Sequence, residues 1–330
     1  MDQTAATAAN QHAVVWSFHL DGQGGAHAAP GHIGAIPEQG LLWIHLNRLA
    51  PQTAALLQED DLPPPVRQAL LAPEPRPRAQ QLGGGVLLTL RAVNHNPGEA
   101  PEDLVAVRLW AEPRRVISVR GRALLAERDM RRILNQHNGP RDAGEVIITF
   151  TTNIMHRFDD VIEELHARLD DLDDIIWSGP MDLLRQQITE LRREIIALRR
   201  YITPDREALA HLIAESIAWL GHEQRWRLRA VVDHTTWLTE ELDALRDQAA
   251  VLQDALGNRL SMQINRALYV FATLSAVFMP VTFIAGLFGM NVGGIPGTRW
   301  PGSFLVISLL LIGVIGLQLW LLRRLRLLFF

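Results

Sequence analysis

Two stretches near the end of the chain decide its fold: Tyr269–Phe288, YVFATLSAVFMPVTFIAGLF, and Ser303–Leu322, SFLVISLLLIGVIGLQLWLL. No charged residue lies between Arg266 and Arg299, and none between Arg299 and Arg323. Each stretch has about the 20 residues a helix needs to cross a hydrocarbon layer of about 30 Å. Helices of soluble cores seldom run so far without charge. Two membrane helices joined by a short connection are therefore predicted. Arg259 and Arg266 precede the first, and Arg323, Arg324 and Arg326 follow the second, against Arg299 alone in the connection. This excess of cations on one side puts both termini in the cytoplasm and the loop outside. Trp300 and Trp320, near opposite ends of the second span, suit the interfacial preference of indole rings. The opening segment MDQTAATAANQHAVV lacks a basic-then-apolar pattern, so no secretory signal is expected.

Outward from these spans, the rest of the 330 residues reads as water-soluble. Lys plus Arg is 32 against 36 for Asp plus Glu, a net charge of -4. That balance argues against a nucleic-acid binder, which would show a basic excess. The positive charges are all arginine, to which no functional weight attaches. There is no cysteine, which excludes disulfides, thiolate nucleophiles and cysteine zinc sites and agrees with a reducing compartment.

Residues 13–120 carry short apolar runs broken by turns: AVVWSFHL (13–20), LLWIHLN (41–47), GVLLTLRAVN (85–94), VAVRLWA (105–111) and VISVR (116–120). The last two flank Glu112-Pro113 and suggest a hairpin. Residues 63–77 hold six prolines around one short helix, PVRQALLA. The glycines at 22–25 follow a strand but lead into AHAAPGH, so they read as a turn rather than a phosphate loop; 83–85 reads the same way. From Leu124 the period becomes helical: Leu124–Gln136, Glu145–Trp177 up to the breaker Ser178-Gly179-Pro180, and Met181–Tyr201 with a kink at Thr203-Pro204, continuing to about Ala218. Residues 222–288 read as one helix of about 100 Å at ~1.5 Å per residue. Pro280 falls inside it and neighbouring helices can satisfy the carbonyl it frees. So long a helix needs packing by antiparallel helices and by copies of itself. The expected architecture is an α+β cytoplasmic domain followed by long helices and two C-terminal transmembrane helices. Its parts are an α/β domain at 1–140, antiparallel cytoplasmic helices at 141–221, a stalk helix entering the membrane at 222–288, an external loop at 289–302, the second span at 303–322 and a basic tail at 323–330.

Two spans cannot enclose a pore, so a conduit would need one helix from each of several subunits. In steps of three and four from Asn265, the first span presents Leu268, Phe271, Ser275, Met279, Thr282, Gly286 and Gly289, within roughly a 120° sector at about 100° per residue. The stripe mixes small, hydroxyl and flexible apolar side chains, with an amide at each end if Asn291 is included. The second span is Leu, Ile and Val throughout and suits a lipid-facing outer ring. Small residues also let membrane helices pack closely, and pattern alone leaves pore lining and packing open.

The run FMPVTFIAGLFGMN (278–291) resembles the membrane signature of the CorA family of metal-ion transporters, which ends its first membrane helix on Gly-Met-Asn: here Gly289, Met290 and Asn291. GMNVGGIPG with the following Trp300-Pro301 looks like the ZntB-type zinc branch of that family, and LLWIHLNRL, RPRAQQLGGGVLLTLRAVN and LRRYITPDREAL are similar to that branch as well. The resemblance covers essentially the whole chain. It implies a homopentamer, a CorA-like funnel of long helices running into a central pore. It also implies that Asn265 stands at the cytoplasmic pore mouth, that Leu268 and Phe271 form an apolar gate, that Thr282 is a mid-pore hydroxyl, and that Asn291 is the outer asparagine of the selectivity motif. A ring of Asn291 amide oxygens can bind a cation through its water shell, and a ring of Phe271 side chains can close the pore by dewetting.

Magnesium transporters of the family carry an acidic residue after the signature. Residues 292–303 have no carboxylate, which speaks for zinc and against a Mg2+/Co2+ channel. Proton coupling is attributed to zinc-type relatives. No Asp, Glu or His lies between Arg266 and Arg299, so a coupled proton would need groups outside the membrane or carriage by the ion.

Other candidate ligands are cytosolic. Asp159, Asp160, Glu163, Glu164, Asp170, Asp171, Asp173 and Asp174 crowd one helix with His156 and His166. His166 with Asp170, or Glu163 with His166, has the helical spacing to share a zinc ion; Glu207/His211 and His211/Glu215 have it too. The plainer reading is a solvated acidic face paired with arginines of neighbouring helices. No nucleophile elbow, catalytic triad, phosphate loop or paired-carboxylate cleft is present, so no enzyme and no cofactor are expected. The expectation is a bacterial inner-membrane transporter of Zn2+, with Cd2+, Ni2+ or Co2+ as further cargo. Its partners would be its own copies, the lipid bilayer and divalent cations, not nucleic acid. A membrane-anchored scaffold without transport is the alternative from another class.

Overall fold

The structure, a computed structural model, describes residues 12–59, 61–96, 98–290, 292–295, 297 and 300–324. The chain divides into two compact units, 1–253 and 254–330.

The first unit is built on a seven-stranded sheet of order β2-β1-β3-β7-β6-β5-β4. Its strands are β1 (Val14–Leu20), β2 (Ala26–Ala28), β3 (Leu41–Asn47), β4 (Arg78–Leu82), β5 (Gly85–Ala92), β6 (Val105–Glu112) and β7 (Arg115–Arg120). Neighbours are antiparallel except β3 and β7, which run parallel. This central pair is buried at every position, as strands covered on both faces must be. The expected β6–β7 hairpin forms, pairing Glu112 with Arg115. Two strands escaped the sequence reading. β2 has three residues, and β4, RAQQL, has no fully buried position, so neither carries an apolar alternation. β4 turns into β5 at Gly83, whose φ of 58° favours glycine. A Cβ on Gly85 would lie 2.4 Å from the Trp110 ring. The glycines at 22–25 form the expected turn: Asp21 Oδ1 accepts from the Gln23 and Gly25 backbone N–H groups at 2.7 and 2.9 Å.

One sheet face packs against α1 (Gln52–Gln58) and α2 (Pro64–Leu71) through Leu42, Ile44, Leu57, Val66, Leu70 and Trp110. On the other, Trp43 meets Phe150 edge to face, with centroids 6.1 Å apart. Phe150 belongs to α4 (Ala143–Ile175), which follows α3 (Leu125–Asn135). The Asp142 side chain caps α4 by accepting from the Glu145 N–H at 2.9 Å. Next come α5 (Met181–Ala214) and α6 (His222–Phe288). α5 carries Pro204 in its interior and ends four residues before the expected Ala218. α6 is one helix of 67 residues, as read from the sequence. Within the first unit it buries Leu228, Val231, Thr235, Leu238, Leu242, Leu245 and Ala249, the spacing of a packed helical face.

The second unit holds the rest of α6 and α7 (Ser303–Arg324). Both helices are long and apolar enough to cross a membrane. α7 runs two residues past the expected Leu322, and Arg324 there lies 5.2 Å over the Trp320 ring.

Candidate ion pathway and metal-ligating cluster

Within the second unit, α6 is half-buried at Tyr269, Thr273, Val277, Pro280 and Ile284. α7 is half-buried at Ile307, Ser308, Leu311, Val314, Ile315, Gln318 and Leu322. These two faces meet, and the Gln318 Nε2 donates to the Ala276 carbonyl at 3.2 Å. Asn265, Leu268, Phe271, Ser275, Met279, Thr282 and Gly286 are all exposed, as is Gly289 just beyond the helix end. At about 100° per residue the centre of this stripe lies roughly 150° around α6 from the face that α7 covers. The small, hydroxyl and amide positions are thus not spent on packing α7 within the chain; they face outward, where another copy or water would meet them. Phe271 is 69% and Met279 71% exposed. Gly289 N–H still donates to the Ala285 carbonyl at 2.9 Å, and Met290 follows, exposed. Asn291, expected to carry selectivity, and the loop cation Arg299 and tail cation Arg326 lie outside the described residues.

In the first unit His166 and Asp170 are not brought together as a pair. His166 Nε2 reaches across to Glu241 on α6, 3.1 Å away, while Asp170 is exposed. His211 lies 3.9 Å from Glu215. Among the described residues the acidic face is not paired with arginines of neighbouring helices as the plainer reading supposed: Asp160 meets Arg157 of its own helix, and the arginines of α4 reach outward instead, Arg157 to Asp129 on α3 and Arg168 to Glu194 on α5 at 2.7 Å.

A different group converges. The two Asp159 oxygens each take one imidazole, His156 Nδ1 at 2.9 Å from the same helix and His234 Nε2 at 2.9 Å from α6. One ligating atom from each lies within 4.8 Å of the others. The His234 ring stacks on Trp237, 5.7 Å between centroids and 12° from parallel, which fixes its plane. A cavity of about 360 Å³ opens beside the cluster, between Trp226, Ala230 and Ile148. Arg157, next in sequence to His156, is turned to Asp129, whose hydrogen bond holds its guanidinium above the ordinary value, so it leaves Asp159 to the histidines. Two imidazole nitrogens and a carboxylate oxygen form a donor set that suits Zn2+ with a water in the fourth position. Tetrahedral zinc holds donors roughly 3.3 Å apart, given bonds of about 2.0 Å, so donors that now lie within 4.8 Å of one another would draw together around the ion. His156 and Asp159 have a helical i, i+3 spacing visible in the sequence. His234 is far along the chain, and only the antiparallel docking of α4 and α6 brings it in.

A family model described as CorA-like Mg2+ transporter protein matches residues 38–324. The zinc transport protein ZntB of Pectobacterium carotovorum subsp. carotovorum (strain PC1) is 34% identical over 317 residues, which is 94% of this chain and 94% of that protein. Among solved structures, that of the full-length CmaX protein superposes with a TM-score of 0.82 at 32% identity, covering 96% of this chain and 98% of the other. The CorA magnesium transporter of Methanocaldococcus jannaschii shares the fold, with a TM-score of 0.81 at 15% identity over 94% of this chain and 98% of its own.

Proposed function

Because the chain belongs to the CorA-like family, we propose that it transports divalent metal cations, Zn2+ in first place, through the central pore of a homopentamer in the bacterial inner membrane, with both termini in the cytoplasm. One observation carries the reading: the Asn265-to-Gly289 stripe lies away from the face that α7 occupies, so copies of α6 can turn it toward a common axis while α7 stays outside toward lipid. Asn265 then stands at the inner mouth. Leu268 and Phe271 form the constriction, because exposed apolar rings crowded on an axis exclude water until the helices splay. Ser275 and Thr282 offer hydroxyls along the way, and Asn291 of the Gly-Met-Asn signature offers amide oxygens at the outer mouth.

Zinc is favoured over magnesium on two grounds. The curated relative is named as a zinc transporter, and the segment after the signature has no carboxylate to gather a hydrated Mg2+. The cytosolic zinc contact that the sequence put at His166 and Asp170 is better supplied by His156, Asp159 and His234, where three donors converge rather than two. If transport is coupled to protons, the titrating groups lie outside the spans, since the charge-free stretch of α6 holds no Asp, Glu or His.

Reconstitution into proteoliposomes tests this, with zinc and magnesium uptake compared with and without a pH gradient. Zinc flux that exceeds magnesium flux supports the reading, and sensitivity to the gradient supports coupling. Magnesium flux alone would assign a Mg2+/Co2+ channel, and no flux of either would assign a membrane-anchored scaffold.

A further inference from the structure

Three arginines that share one cleft of the sheet region lack the carboxylate that some of its other arginines have. Arg115 is 2.6 Å from Glu112, Arg120 3.0 Å from Glu127 and Arg122 2.9 Å from Glu99. Arg48, directly after β3, Arg91 on β5 and Arg108 on β6 form no ion pair among the described residues, yet all three line one cleft of about 420 Å³. In the β5–β6 register Arg91 lies opposite Ala106 and Arg108 opposite Thr89, so both arginines project from the same face of neighbouring strands.

Backbone carbonyls hold two of them in place. Arg108 donates to the carbonyls of Pro73 and Ala106 at 3.0 and 3.2 Å, and Arg91 to those of Leu104 and Pro75 at 3.2 and 3.3 Å. The Arg91 guanidinium also lies 5.2 Å over the Tyr201 ring. Carbonyls orient a guanidinium without neutralising it. Arg48 makes no side-chain hydrogen bond with any described residue, and Nε of all three arginines is buried without a partner. Arg108 is 1% exposed. Burial, and then the charges of Arg48 and Arg91, pull its pKa down to about 10. Asp205 accepts the Arg91 backbone N–H at 2.9 Å, but its own burial pushes it toward the neutral form. Glu74, Glu102 and Asp103 stand in the cleft wall, and none of them pairs with the three.

Like charges gathered in a partly desolvated cleft are unfavourable unless a counter-charge meets them. We propose that this cleft binds a phosphate-bearing small anion, with Arg48, Arg91 and Arg108 as its cationic floor. Guanidinium forks match the paired oxygens of a phosphate, and the cleft volume falls in the range of small-ligand sites. Arg48, whose side-chain donors are all unused, is the principal contact.

The test uses the full chain in detergent with EDTA, at fixed ionic strength, titrated calorimetrically with inorganic phosphate and separately with ATP. Saturable binding of one anion per chain is expected, weakened at least tenfold by Arg48→Gln, which breaks no side-chain hydrogen bond or ion pair among the described residues, and by Arg91→Gln. ATP binding tenfold or more tighter than phosphate would identify a nucleotide; comparable affinities would identify phosphate itself. No saturable binding of either anion to the unaltered chain would overturn the proposal. So would wild-type affinity in both variants, each checked to be folded by its melting temperature.

Discussion

Gln318 Nε2 reaches the Ala276 carbonyl at 3.2 Å, a side-chain amide spent on a backbone oxygen of the neighbouring apolar helix. It fixes which face of α6 the second helix covers, and so which face is left for Phe271 and Ser275. Such bonds between apolar helices contribute about 0.6–2 kcal/mol. Gln318→Leu keeps the bulk and removes the donor. It should lower the stability of the solubilised protein by about 1 kcal/mol, read as a shift in its unfolding midpoint in mixed micelles. An unchanged midpoint would show that apolar packing alone sets the helix pairing.

Glu127 on α3 holds the sheet by a buried charge. Its Oε2 is 3.0 Å from Arg120 Nη1 and its Oε1 2.9 Å from His45 Nε2, with Glu127 and Arg120 only 6% and 7% exposed. Glu127→Ala strands the Arg120 guanidinium without a counter-charge, a loss of about 3–5 kcal/mol. Denaturant unfolding of the two proteins measures it; a difference under about 1 kcal/mol would mean that water reaches the pair.

Asp205 gives a pH dependence of opposite sign to an ion-paired carboxylate. It is fully buried, and burial lifts its pKa well above 3.8. The folded chain therefore keeps a proton that the unfolded chain releases from pH 3.8 upward. Stability from this group falls as pH rises through that window, by up to about 1.4 kcal/mol per pH unit, and stays at the lower level above the folded pKa. Asp205→Asn should flatten this slope and raise the melting temperature at neutral pH, while its side-chain oxygen still accepts the Arg91 N–H. A lower melting temperature in the variant would show that the ionised carboxylate is the favoured form.

The His156–Asp159–His234 cluster should bind Zn2+ in preference to Mg2+, because two of its donors are imidazole. His234→Gln should weaken zinc binding by at least about tenfold, the lower bound for losing even an outer partner of a metal site, whereas His166→Gln should leave it unchanged. Calorimetric titration at two pH values checks both, since protons compete for the imidazoles and affinity should fall on acidification. Loss in His166→Gln with unchanged binding in His234→Gln would return the site to His166.

Much of this molecule was legible because its signals are long. The charge-free runs around Met279 and Leu310 and the uninterrupted period of 222–288 leave few alternatives to helices. Short or partnerless signals were not legible. β4 is half-exposed and reads as a loop until β5 pairs with it. Helix spacing offered His166 with Asp170, both on α4, but only the docking of α6 shows that His166 meets Glu241 and that His234 meets Asp159. The stripe from Asn265 to Gly289 was visible as a pattern. What sequence periodicity could not supply was which side of it α7 occupies, because α7 is apolar all round and its contact face is marked by little more than Gln318.

The central claim, that the stripe lines a water-filled path between copies of α6, is tested most directly by substituted cysteines, for which a chain with no cysteine needs no prior change. Ser275→Cys and Thr273→Cys lie at similar depth on opposite sides of α6. A small charged methanethiosulfonate reagent, applied to proteoliposomes during zinc uptake, should block flux through the Ser275→Cys protein and leave the Thr273→Cys protein unaffected. Block at Thr273 with free flux at Ser275 would contradict the account.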